Sequence, residues 1–121
     1  MGTLRNSVHL SGRPGMDPEI KIYGDKKIAK FSLATNERRY NDKKELVETT
    51  EWHNILALGR TAEIVEKIVR KGRLMALEGK IQTRQYEDKD RIKRYYTEIL
   101  MDEFMLIDRM SNDDDQKNDE E

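Results

Sequence analysis

One stretch of the chain, Ala62 to Lys71, spaces its apolar residues like a helix, and the segments on both sides of it read as strands. Ala62, Val65, Ile68 and Val69 form a single stripe at i, i+3, i+6 and i+7. Thr61 can supply an N-cap oxygen and Glu63 suits the first turn. Arg70 and Lys71 suit the C-terminal dipole, and Gly72 offers a left-handed stop. One helix among strands sets the fold class.

Before it, Val8 and Leu10 alternate with Ser7, His9 and Ser11, up to the turn signal Gly12-Arg13-Pro14-Gly15. Ala29, Phe31 and Leu33 then point one way, with Lys30, Ser32 and Ala34 opposite them. The polar stretch Asn36 to Glu48 reads as a long hairpin or loop. In Thr49 to Leu58, His53, Ile55 and Ala57 oppose Trp52, Asn54, Leu56 and Leu58. After the helix, Met75, Leu77 and Ile81 oppose Glu78, Lys80, Gln82, Arg84 and Tyr86, with Gly79 marking a bulge or bend. Glu87 to Lys93 is a hairpin tip, Arg94 to Met101 returns, and Phe104 to Ile107 closes the body. This order predicts an all-β domain, a five-stranded OB-fold Greek-key barrel with one α-helix between strands 3 and 4. A β-sandwich or a two-layer α+β domain accommodates the same string.

The chain has 121 residues and room for one domain. It contains no Cys, which excludes disulfides and thiolate metal sites, and no apolar run of membrane-spanning length. These features predict a soluble, cytoplasmic protein. The net charge of −1 conceals an asymmetry: residues 111–121 carry −5 and the remainder +4. We therefore divide the chain into a folded domain over 1–109 and a disordered acidic tail over 110–121. A basic body with an acidic tail suits a polyanionic partner, although a solubilising tail accounts for the same charges.

No phosphate loop, no G-x-S-x-G and no HExxH is present, and His9 and His53 lie far apart, so the expectation is no catalysis, no metal and no cofactor. Asp113 to Asp115 reads as a solvated charge run. What remains is a set of aromatics among basic groups, the combination that single-stranded nucleic acid requires of a binder. Trp52 and Leu58 share one strand face, and Arg84 and Tyr86 share another. Tyr40 sits in the polar stretch beside Arg38, Arg39, Lys43 and Lys44, where no core can bury it.

These residues also fall into a familiar pattern. Asn6-x-Val8-x-Leu10-x-Gly12-x-x-Gly15-x-Asp17-Pro18-Glu19, Phe31 to Thr35, Thr50-Glu51-Trp52-His53, Ala62-Glu63, Lys71-Gly72, Glu78-Gly79, Thr83-Arg84 and Arg94-Tyr95-x-Thr97-Glu98 occur in that order. Taken together they resemble the bacterial single-stranded DNA-binding proteins over Asn6 to Ile107. The resemblance implies an OB-fold, a homotetramer, and largely sequence-independent binding of single-stranded DNA in replication, recombination and repair, in the cytoplasm at the nucleoid. It implies base stacking on Trp52, Tyr86 and Tyr40 (or Arg39 in its place), and a subunit interface at His53. Basic positions that match are Arg60, Lys71 and Arg84. With Arg38, Arg39, Lys43 and Lys44, they are expected to follow the phosphates.

Two departures weaken parts of the likeness. Leu58 stands where the family has a further stacking aromatic, so one platform is reduced. The family's usual C-terminus ends in an acidic tip with Pro-Phe, whereas this tail ends Glu120-Glu121, so docking of replication and repair proteins through such a tip is not implied. Two rival readings are a protein-docking module of primosomal type and an OB-containing nuclease. RNA is a further candidate ligand, because stacking and phosphate contacts alone do not distinguish the sugars.

Overall fold

A computed structural model describes residues 4–107. The chain runs β1 (Val8–Pro14), β2 (Glu19–Tyr23), β3 (Lys26–Tyr40), β4 (Leu46–Leu58), α1 (Gly59–Ile68), β5 (Met75–Glu87) and β6 (Lys93–Leu106). The sheet order is β1-β5-β6-β4-β3-β2, and a further β1–β3 pairing closes it. Strands β1, β3, β4, β5 and β6 thus form the expected five-stranded barrel, with the helix between its third and fourth strands. All pairings are antiparallel except β4 with β6, where Ile55 faces Ile99 and Leu56 faces Leu100.

The period-two pattern supplies the core. Ala29, Phe31 and Leu33 of β3, Ile55 and Ala57 of β4, Met75 and Leu77 of β5, and Ile99 and Met101 of β6 are buried. Ala62, Val65 and Val69 close one end of this core from the helix side. Burial of each large aliphatic side chain is worth about 1.5–3 kcal/mol. The bulge lies between Glu78 and Gly79, as the mid-strand glycine suggests. A Cβ on Gly79 would stand 3.0 Å from the Leu100 carbonyl carbon and nearer still to its oxygen, so the strands meet there backbone to backbone.

Several local expectations require correction. The turn signal at Gly12 to Gly15 does not end the first strand: β1 runs to Pro14, and the Gly15 N–H still donates to Ser32 O at 3.0 Å. After a break before Glu19, β2 continues along the same partner, β3, an element not anticipated from the sequence. The helix begins at Gly59, so Thr61 lies inside it and gives no cap; Leu58 is the N-cap, without a side-chain hydrogen bond, and no acidic residue occupies the first turn. Gly59, at φ +60°, takes a backbone conformation that few other residues accept, which allows the earlier start. Gly72, at φ +85°, lies beyond the helix in a turn in which Arg73 N–H donates to Arg70 O. Ile68 and Ile81, expected to face the core, are 37% and 48% exposed. The acidic tail assigned to 110–121 lies outside the described residues.

Candidate nucleic-acid interface

The long β3–β4 ribbon positions most of the candidate residues. Its register pairs Tyr40 with Leu46, Arg38 with Glu48, Ala34 with Trp52, Lys30 with Leu56 and Ile28 with Leu58. In an antiparallel ladder paired residues share a face, so Tyr40, Arg38, Trp52 and Leu58 lie along one side of the ribbon. Arg39, paired with Val47, belongs to the other side. Twelve residues separate Tyr40 from Ile28, about 40 Å of strand. Along this strip Tyr40 is 73% exposed, Trp52 61% and Leu58 46%, whereas Leu56 is buried. Arg38 is held by Glu48 at 3.4 Å. Lys43 and Lys44 lie in the turn that Asn41 organises, its Oδ1 accepting from the Lys43 and Glu45 amides at 2.9 Å.

Trp52 leans on the break between β1 and β2. A Cβ on Gly15 would stand 2.7 Å from Trp52 Cη2, so only glycine leaves the ring its place. Two residues on, Asp17 Oδ1 accepts from the Lys71 backbone N–H at 2.8 Å, and Pro14 O accepts from Gly72 N–H at 2.9 Å. The segment from Pro14 to Asp17 therefore ties the Trp52 ring to the Lys71 turn. At the opposite end of β4, exposed Arg60 follows Leu58 into the helix. Lys27 of β3 donates to Glu66 of the helix, which raises the Lys27 pKa.

The β5–β6 hairpin supplies the rest. Arg84 pairs with Tyr96 and Tyr86 with Arg94, so arginine and tyrosine alternate across the ladder on one face. Tyr86 is 52% exposed. Arg84, Gln85, Tyr86, Tyr96 and Lys30 line a cleft of about 360 Å³. Lys30 and Tyr96 also line a second hollow with Met16, Ser32, Asn54 and Glu98, of which Asn54 lies two residues along β4 from Trp52. Trp52 and Tyr86 are thus both solvent-facing. At the hairpin tip, Asp88 accepts from the Ile92 and Asp90 amides and from Arg94 Nε, at 3.0, 2.9 and 2.9 Å. The backbone bond from Ile92, and then Arg94, lower its pKa.

Three residues bear on the site beyond those the sequence singled out. Tyr96 lies beneath Arg84, whose guanidinium carbon is 5.5 Å from the ring centroid. Counting outward from the hairpin tip would have set these two opposite each other. Glu98 is 2% exposed although it projects on the outer face; Gln82 and Arg84 cover it. Arg84, expected to follow phosphates, is therefore already committed to a carboxylate. Lys30, at the junction of the two hollows, stood out only as an outward-facing residue. His53 is half-buried in the row of Ile55 and Ala57, 3.0 Å from Thr35 Oγ1. Among the described residues, no group of three or more His, Asp or Glu side chains could hold a metal, and no helix is long and apolar enough to cross a membrane.

A family model described as the single-strand binding protein family matches residues 5–107, the whole barrel. The chain belongs to the single-strand binding protein family. It is 45% identical over 105 residues to a single-stranded DNA-binding protein of Bacteroides thetaiotaomicron, covering 84% of this chain and 65% of that one. The corresponding protein of Neisseria meningitidis serogroup A is 41% identical over 104 residues, covering 84% of this chain and 59% of that one. The chain thus spans under two thirds of the length of either relative. Among solved structures, the complex of Plasmodium falciparum SSB with ssDNA superposes with a TM-score of 0.78 at 34% identity, over 89% of this chain and 98% of that one. That similarity makes the barrel an OB-fold, of the kind that members of this family carry.

Proposed function

We propose that this member of the single-strand binding family binds single-stranded DNA without strong sequence preference and performs no catalysis. The carrying observation is that Trp52, Tyr86 and Tyr40 stay half or more exposed on an outward surface edged by lysines and arginines. Exposed rings forgo the burial that usually stabilises an aromatic, and a base plane repays that cost. Trp52 and Tyr86 stack on bases, Tyr40 adds a third ring at the ribbon tip, and Leu58 gives a weaker apolar contact. Arg38, Lys43, Lys44, Arg60 and Lys71 follow the phosphates, whereas Arg39, on the other side of the ribbon, is not on this path. On this reading, binding by stacking and charge protects exposed strands in replication, recombination and repair, in the cytoplasm at the nucleoid.

Self-association into a homotetramer is part of the same proposal. It is supported by half-buried His53 and by an apolar cleft of about 440 Å³ lined by Leu10, Phe104 and Met105 with His9, Glu78 and Glu103. Titration of oligo(dT) in a mobility-shift assay at several salt concentrations tests the binding. Affinity should fall linearly in log–log form, with a slope near −0.7 per phosphate neutralised. No shift at any salt concentration contradicts the proposal. Sedimentation of the free protein at the monomer mass contradicts the assembly.

A further inference from the structure

We propose that Arg84 serves a bound strand as a flat stacking platform whose charge Glu98 has already cancelled, and not as a ligand for phosphate. This assignment rests on the single-strand reading above and refines it. Glu98 is 2% exposed, and a carboxylate so buried requires fixed partners. Gln82 Nε2 donates to its Oε2 at 2.8 Å. Arg84 meets both oxygens with one edge of its fork, Nε to Oε2 at 2.9 Å and Nη2 to Oε1 at 3.2 Å. A two-point fork fixes the plane of the guanidinium as well as its position.

The guanidinium carbon lies over the ring of Tyr96, 5.5 Å from its centroid. The side chain is nevertheless 53% exposed, and it borders the cleft shared with Tyr86, Gln85 and Lys30. At about 360 Å³ the cleft falls within the roughly 300–1,000 Å³ of small-ligand sites, room enough for a flat ring. A phosphate that drew Arg84 toward itself would strand a buried carboxylate, a strongly unfavourable state. A base asks only for a plane, and an arginine held flat provides one. Arg84 and Tyr86, two residues apart on the same face, then act as adjacent platforms.

The test compares Arg84→Lys with Arg84→Gln in the full chain, by oligo(dT) titration over a series of salt concentrations, below the melting temperature of both variants. Lysine keeps the charge without the plane; glutamine keeps a flat amide that can donate to Glu98, without the charge. The platform assignment expects the lysine variant to bind about fivefold or more below wild type and below the glutamine variant. It also expects the glutamine variant to keep the wild-type salt slope. A lysine variant as tight as or tighter than the glutamine variant overturns the assignment. So does a glutamine variant whose slope is shallower by about 0.7, the signature of one lost phosphate contact. Failure of the wild-type protein to bind oligo(dT) overturns the single-strand reading and this assignment together, whereas wild-type binding with the reversed order overturns the platform alone.

Discussion

The ring of Trp52 rests on Gly15, so close that a Cβ there would stand 2.7 Å from Cη2. The atoms in conflict are at the far end of a side chain, and Gly15 forms no left-handed turn. Gly15→Ala should therefore fold normally while displacing the indole. We expect a shifted Trp emission spectrum, a melting temperature close to wild type, and loss of part of the ~1–3 kcal/mol that stacking on one base is worth. Unchanged emission and affinity would show that the ring does not depend on this support.

Arg60 and Arg84 are both exposed arginines, but only Arg84 is fixed by a buried carboxylate. Arg60→Ala should weaken oligo(dT) binding and reduce the salt slope by about 0.7. An unchanged slope in this variant removes Arg60 from the phosphate path.

Asp88 organises the β5–β6 tip through the Ile92 and Asp90 amides and Arg94. Its pKa is lowered in the fold, so its contribution to stability is complete above the unfolded value of about 3.9 and is lost as pH falls through the lower folded value. Protection of the Asp90 and Ile92 amides against exchange, relative to their intrinsic rates, should fall in that acid window before the barrel core opens. Protection that holds until global unfolding contradicts this role.

Residues 111–121 carry −5 and the remainder of the chain +4. If the acidic segment competes with DNA for the basic strip, deleting it should tighten oligo(dT) binding at low salt and leave binding at high salt unaltered, because screening removes the competition. Equal affinities at low salt eliminate it.

The barrel core was legible because strand alternation states its own inner face: Ala29, Phe31 and Leu33 are buried where their period places them. The helix stripe was equally plain for Ala62, Val65 and Val69, yet its start was not. Thr61 resembles a cap, and only the backbone of Gly59 shows that the helix begins earlier. Strand β2 escaped notice because Pro14-Gly15 reads as a terminator, whereas the chain merely breaks and rejoins the same neighbour. Trp52 and Tyr86 were readable as outward-facing from their opposition to aliphatic rows. Burial of Glu98 was not, since it depends on Gln82 and Arg84 arriving from another strand. Side-chain charge alone does not reveal which arginines are already engaged.

Trp52 is the single tryptophan, which makes its fluorescence a direct report on the proposed stacking surface. Adding oligo(dT) at low salt should quench that emission in step with the mobility shift, and Tyr86→Ala should weaken binding while leaving the quench at saturation. A bound complex with unquenched Trp52, or no complex at all, would contradict the account.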